Sequence, residues 1–154
     1  MRRLLVVLAV ASFLAVAAAG CGHAPGLPHD YVQQSGSMEP TIQIGQRIRT
    51  GPLPEQIERG SILVVRFPGD SEDFVKRVVG LPGEQVAAVE GNVLIDDRPL
   101  AEPYLPGGVV TESVEPLRLG PDQYYLLGDN RTNSNDSRFK GPLTRAQMVA
   151  LVTL

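Results

Sequence analysis

A chain of 154 residues, 43% of them hydrophobic, has room for one domain with its own core plus a tail. A formal net charge of −3 with no basic stripe gives no basis for nucleic-acid binding. The single cysteine, Cys21, excludes an internal disulfide, and Cys21 with His23 and His29 cannot make a zinc-ligand cluster, so neither a metal nor a cofactor is expected.

The chain opens on Arg2 and Arg3, followed by an uncharged stretch from Leu4 to Gly22. As a helix this stretch is roughly 28 Å long at 1.5 Å per residue, against a bilayer core of about 30 Å. Arginines that stay cytoplasmic place everything after Gly22 on the outer side. Three readings are open: an uncleaved membrane anchor, a cleavable signal peptide ending near Ala17-Ala18-Ala19, and a lipoprotein signal. In the last, Ala18-Ala19-Gly20-Cys21 stands as a lipobox and Cys21 as a possible lipidation site, with Ala18 where Leu is expected. Residues 23–30, with two prolines and two glycines between Gly22 and Asp30, read as a linker, and its two histidines are given no role.

Tyr31–Gln34 reads as a short strand leading into Ser35-Gly36-Ser37-Met38-Glu39-Pro40-Thr41. Gly36 permits a sharp turn and Pro40 fixes its own φ, a geometry that can hold one hydroxyl near backbone N–H groups. On its own the heptad is equally readable as a plain loop. Ile42, Ile44 and Ile48, interrupted by Gly45, read as two short apolar runs joined by a turn or bulge. Ser61–Phe67 is a β-branched run that predicts a buried strand.

Phe74–Val79 predicts another strand, ended by Gly80-Leu81-Pro82-Gly83. Alternation puts Lys76 on one face with Phe74 and Val78, and Val75, Arg77 and Val79 on the other. A lysine between two apolar neighbours is either a snorkelling surface residue or a desolvated base. Gln85–Val89 and Val93–Ile95 predict a β-hairpin around Glu90-Gly91-Asn92. Residues 96–108, with three prolines, read as a surface excursion, Gln123–Leu127 as a strand, and Gln147–Leu154 as a last strand closing the sheet. Between the last two lies Gly128-Asp129-Asn130-Arg131-Thr132-Asn133-Ser134-Asn135-Asp136-Ser137-Arg138, rich in turn-forming Asn and Asp. A calcium loop does not fit it: Arg131 falls at a ligand place, the sixth place lacks Gly, and the twelfth is Lys140.

Three stretches in this order, 35–41, 74–84 and 128–138, resemble those of the type I signal peptidases, Ser/Lys proteases of the S26 type that remove secretory signal peptides. The resemblance runs from about Tyr31 to Val149. It implies that Ser37 is the nucleophile and Lys76 the general base, since burial lowers a lysine pKa toward the range where the amine accepts a proton. It further implies that Ser35 and the backbone N–H of Ser37 line an oxyanion hole, that Ser134 orients the lysine, and that Asp136 and Arg138 form a supporting charged pair. Met38 and Val75 match pocket-lining positions for small residues before the cut. Gln33 and Gln34 stand where the family more often has an aliphatic residue and Pro, and Ser61 where it has Asp.

The expected fold is all-β: coiled antiparallel β-sheets around one core, with a small β-hairpin insertion and an N-terminal hydrophobic helix. The expected division is residues 1–22 as anchor or signal segment, 23–30 as linker, and 31–154 as a catalytic β-domain with an inserted subdomain at about 85–118. The expected activity is membrane-bound cleavage of signal peptides from exported preproteins after small residues such as Ala. The partners are then those preproteins and the lipid surface, with no nucleic acid, and the protein acts as a monomer on the extracytoplasmic side of a bacterial cell membrane. Two alternatives stand beside it: a dedicated processing protease of the same fold, of the pilin-maturation type, and a non-catalytic lipoprotein binding module. The self-cleaving phage-repressor-like proteins share the dyad, but this chain has no basic DNA-binding module.

Overall fold

The computed structural model describes residues 30–154. The apolar N-terminal stretch, Cys21, His23 and His29 lie outside the described residues. Among the described residues, no helix is long and apolar enough to cross a membrane, and the strands form two antiparallel sheets.

The strands are β1 (Asp30–Val32), β2 (Arg47–Gly51), β3 (Ile62–Val65), β4 (Phe74–Gly80), β5 (Gln85–Val89), β6 (Asn92–Ile95), β7 (Arg98–Pro99), β8 (Val114–Arg118), β9 (Gln123–Leu127), β10 (Leu143–Thr144) and β11 (Met148–Thr153). A single α-helical turn, α1, covers Ser137–Lys140, and 3-10 turns cover Gly36–Met38 and Arg145–Gln147. The larger sheet has the order β1-β2-β11-β3-β4-β9-β10, and the smaller β7-β6-β5-β8.

The β-branched run that predicts a buried strand is β3, all four of whose residues are buried. Its alternation supplies two cores at once. Ile62 and Val64 pack with Met38, Ile42, Ile48, Val75, Ala150 and Val152 on one face. Leu63 and Val65 pack with Ile57, Phe67, Val78, Leu126, Leu143 and Met148 on the other. Burial on both faces is why β3 reads as a continuous apolar run rather than as an alternating one. The chain end enters the sheet centre: β11 pairs with both β2 and β3.

The hairpin β5–β6 turns through Glu90 (φ 50°) and Gly91 (φ 85°), both left-handed, as a tight two-residue turn between right-twisted strands requires. Where β4 leaves the larger sheet, Gly80 allows the two sheets to meet closely. A Cβ there would lie 2.5 Å from Val86 and 2.9 Å from Leu119 and Tyr125. Val79, Val86, Val93, Leu119, Tyr125 and Leu127 form the apolar cluster at this junction.

Candidate active site

Strand β4 carries Lys76 into the interior. Its register pairs Lys76 with Leu63 and Phe74 with Val65, so the side chain projects onto an apolar face. Lys76 is 1% exposed, and its Nζ lies 5.6 Å from the centre of the Phe74 ring. Burial removes hydration from the ammonium and lowers its pKa from 10.5 to about 8; the charges of Asp136 and Asp129 oppose that shift without reversing it. Nζ donates to Ser37 Oγ at 2.9 Å and to the Val75 carbonyl at 2.9 Å.

Ser37 sits in the middle of the Gly36–Met38 turn and is itself buried. The turn is short because Ser35 enters it extended and Glu39 leaves it extended, while the Glu39 N–H closes it on the Gly36 carbonyl. Ser35, exposed to solvent, donates from Oγ to Ser37 Oγ at 3.2 Å. Two hydroxyls and one amine thus converge on a single point. A base within hydrogen-bond reach of a serine hydroxyl is the geometry that nucleophilic catalysis requires.

The turn after β9 holds this point in place. The Asn130 N–H donates to the Ser37 carbonyl at 3.1 Å, and its side-chain amide donates to the Gly36 carbonyl at 3.0 Å. Gly128 lies beneath them; a Cβ at that position would meet the Ser37 carbonyl oxygen at 2.5 Å and collide with Ser134 Oγ. Asp136 and Arg138 form a buried pair: Arg138 Nε donates to Asp136 Oδ1 and its Nη2 to Oδ2, both at 2.9 Å. Asp136 also caps α1 from below and accepts from the Gly128 N–H at 3.0 Å.

A cavity of about 420 Å³ opens beside Lys76, lined among others by Gln33, Gln34, Ser35, Val64, Val75 and Lys76. Gln33 is buried and its Nε2 donates to the Ser35 carbonyl at 2.8 Å, so this amide shapes the wall as well as lining it. Gln34 is exposed at the rim.

The side chain of Met38 and the hydroxyl of Ser134 are both buried. Met38 is fully buried in the core with Ile42, Val64 and Val75 and is not among the residues lining this cavity. Ser134 Oγ is buried against Gly128 and has no hydrogen-bond partner among the described residues, so it makes none with Lys76.

Sequence reasoning missed a second set of charges on the opposite face of β4. Arg77 is 8% exposed and grips Asp129 with two hydrogen bonds, Nε to Oδ1 at 2.9 Å and Nη2 to Oδ2 at 2.7 Å. Thr41, four residues beyond Ser37, donates its hydroxyl to the same Asp129 Oδ2. Alternation already put Arg77 opposite Lys76, and a buried guanidinium demands a carboxylate. Asp129 was the available signal. No group of three or more His, Cys, Asp or Glu side chains among the described residues could hold a metal ion.

The family model described as "Signal peptidase, peptidase S26" matches residues 2–154. A probable signal peptidase I-2 of Synechocystis is 37% identical over 125 residues, covering 75% of this chain and 56% of the relative. A signal peptidase I of Bacillus amyloliquefaciens is 36% identical over 120 residues, covering 70% of this chain and 64% of the relative. The chain therefore spans less than two thirds of the length of these relatives. The crystal structure of a signal peptidase I from Enterococcus faecalis superimposes with a TM-score of 0.58 at 25% identity, covering 66% of this chain and all of that one.

Proposed function

Because the chain belongs to the peptidase S26 family of signal peptidases, we propose that it is a Ser/Lys endopeptidase that removes signal peptides from exported preproteins. The observation that carries this reading is the 2.9 Å contact between Ser37 Oγ and a lysine amine buried to 1% exposure.

With its pKa lowered to about 8, roughly one tenth of the amine is neutral at pH 7, about 300-fold more than an unperturbed lysine offers. The neutral amine takes the Ser37 proton as Oγ attacks the scissile carbonyl. The oxyanion faces Ser35 Oγ and the backbone N–H of Ser37, donors placed where charge develops. Collapse of the tetrahedral intermediate passes the proton from Lys76 to the leaving amine and leaves an acyl-Ser37 ester. Water, deprotonated by the same neutral amine, then hydrolyses the ester. Asp136 and Arg138 keep the 128–138 turn folded under the dyad. Ser134, with its hydroxyl uncommitted, orients the lysine ammonium formed during the reaction.

The cavity beside Lys76 takes the small residues before the cut, and the Gln33 and Gln34 amides make its wall partly polar. Ser should therefore be accepted there nearly as well as Ala. A panel in which Ala is preferred over Ser by more than about a hundredfold, roughly 2.7 kcal/mol, counts against a polar wall.

The enzyme works at the outer surface of the cell membrane, held by the apolar segment that follows Arg2 and Arg3. Val32 and Ile44, 49% and 61% exposed beside the site, add apolar contact with lipid. Mass spectrometry of the membrane-extracted protein distinguishes an anchor beginning near Met1 from an N-terminus made of lipidated Cys21. The test of function is incubation of the purified protein with a preprotein. A single cut after the signal peptide by the wild type, and none by Ser37→Ala, supports the proposal. Preprotein left intact by the wild type overturns it.

A further inference from the structure

The segment that joins β7 to β8, outside the larger sheet, reaches back under the active site. Tyr104 lays its ring against the Arg77 guanidinium, 3.9 Å from ring centre to Cζ. Its hydroxyl donates to Glu102 Oε1 at 2.6 Å. Burial first, and the Glu102 carboxylate second, keep that hydroxyl protonated well above the usual tyrosine range. Glu102 in turn accepts two hydrogen bonds from Arg131, whose side chain is fully buried. Arg131 also donates to Thr111 Oγ1 at 2.6 Å and, from Nε, to the Gly128 carbonyl at 3.0 Å.

We propose that Glu102 and Tyr104 are positioning residues that hold Ser37 and Lys76 in register with each other. The proposal rests on the Ser/Lys reading of the site. Two routes lead from this pair of residues to the two reacting groups. The first runs through Arg131, which closes the turn on Gly128; Asn130, the second of the two residues inside that turn, holds the carbonyls of Gly36 and Ser37. The second runs through Arg77, the chain neighbour of Lys76, whose guanidinium lies over the Tyr104 ring while Asp129 holds it with two hydrogen bonds. Asp129 also takes the Thr41 hydroxyl, so the nucleophile loop is tied to Arg77 through Asp129 at one end and held by Asn130, the chain neighbour of Arg131, at the other.

The chemistry makes the arrangement more than a packing contact. A guanidinium stacked on an aromatic face and paired at its edge has one allowed orientation, whereas an ion pair alone can swivel. Serine attack depends on alignment to a fraction of an ångström, and a misplacement of about 1 Å can cost on the order of a hundredfold. Neither Glu102 nor Tyr104 is among the residues lining the cavity beside Lys76. Their loss should therefore act on the chemical step and leave substrate binding alone.

The experiment uses the full chain, a signal-peptide substrate, and a small fluorophosphonate that labels the serine without filling the peptide cavity. Tyr104→Leu removes the stack. Its kcat and its labelling rate should each fall by about tenfold or more, with KM within about twofold. Tyr104→Phe keeps the ring and should restore both to within about threefold of wild type. Thr111→Val, which keeps shape and removes one bond to Arg131, should lower kcat by about threefold to tenfold and serves if Tyr104→Leu does not fold. Wild-type kcat and labelling in Tyr104→Leu, or in Thr111→Val where the former is unfolded, overturns the proposal. So does a rise in KM with kcat unchanged, and so does a Phe variant as impaired as the Leu variant. If the wild type labels at Ser37 yet leaves the preprotein whole, the substrate reading fails while the labelling rates still decide the positioning role.

Discussion

Two adjacent residues of β4, Lys76 and Arg77, bury positive groups on opposite faces of one strand, at 1% and 8% exposure. Arg77 is met edge-on by Asp129, face-on by Tyr104, and by the Gly60 carbonyl at 2.9 Å. Lys76 is met by a hydroxyl, a carbonyl and a phenyl ring, and by no carboxylate at ion-pair distance among the described residues. Burial of both therefore yields different chemistry. The paired cation is locked as a charge and ties the structure together. The unpaired one is driven toward its neutral form and becomes able to accept a proton.

The largest expected effect comes from exchanging the two cations. Lys76→Arg should lose at least about 10³-fold in turnover, because guanidinium stays protonated at any usable pH and cannot act as a base. Arg77→Lys keeps a charge against Asp129 but loses the two-point grip and the contact with the Tyr104 face, and should lose about tenfold to a hundredfold, still short of Lys76→Arg. Turnover of one blocked peptide by both variants, after circular dichroism shows each folded, makes the comparison. Similar losses in the two would erase the distinction between the faces.

Stability should separate them in the opposite sense. Asp129→Asn leaves the Arg77 charge buried without its carboxylate and should cost about 3–5 kcal/mol. Lys76→Met should instead stabilise the protein at pH 7. The folded-state pKa of Lys76 is lowered to about 8 from 10.5, so below about 8 both states carry the proton and the folded one bears the full penalty. That penalty is on the order of 3 kcal/mol, and it fades as pH rises from about 8 through 10.5 and the folded state sheds its proton first. Denaturant titrations of wild type and Lys76→Met at pH 7 and pH 10 should show the gap closing. A gap that widens with pH contradicts the sign.

The smallest effect is expected at Ser134. Ser134→Ala removes a hydroxyl with no partner among the described residues, and should lower kcat/KM by no more than about tenfold, since it leaves the base itself in place. A loss equal to that of Lys76→Ala would make the hydroxyl indispensable and would move it from support to the reacting centre.

Much of this contrast was legible in the sequence. The period of two through Phe74–Val79 already set Lys76 and Arg77 on opposite faces, and the β-branched run around Val64 already predicted a doubly buried neighbour. The order of the three resembling stretches selected Ser37 and Lys76. What stayed hidden was non-local. Nothing in Met148–Thr153 says that it inserts between β2 and β3, because strand order is set by pairing across the whole chain. Met38 reads the same whether it lines a cavity or fills the core beneath it. One partner each of Arg77 and Arg131 comes from a proline-rich excursion whose composition says only "loop", and Tyr104 and Glu102 acquire meaning only when that loop folds back under β4. Ser134 was placed by motif alone, and its hydroxyl occupies space beside Gly128 that a Cβ at that position would fill.

The measurement that bears most directly on the account is kcat/KM as a function of pH, using a peptide with blocked ends and no ionisable side chains. If neutral Lys76 is the base, the value should climb about tenfold per pH unit up to about 8, then level off. A profile flat between pH 6 and 9, or one that falls as Lys76 loses its proton, would contradict a neutral lysine acting on Ser37.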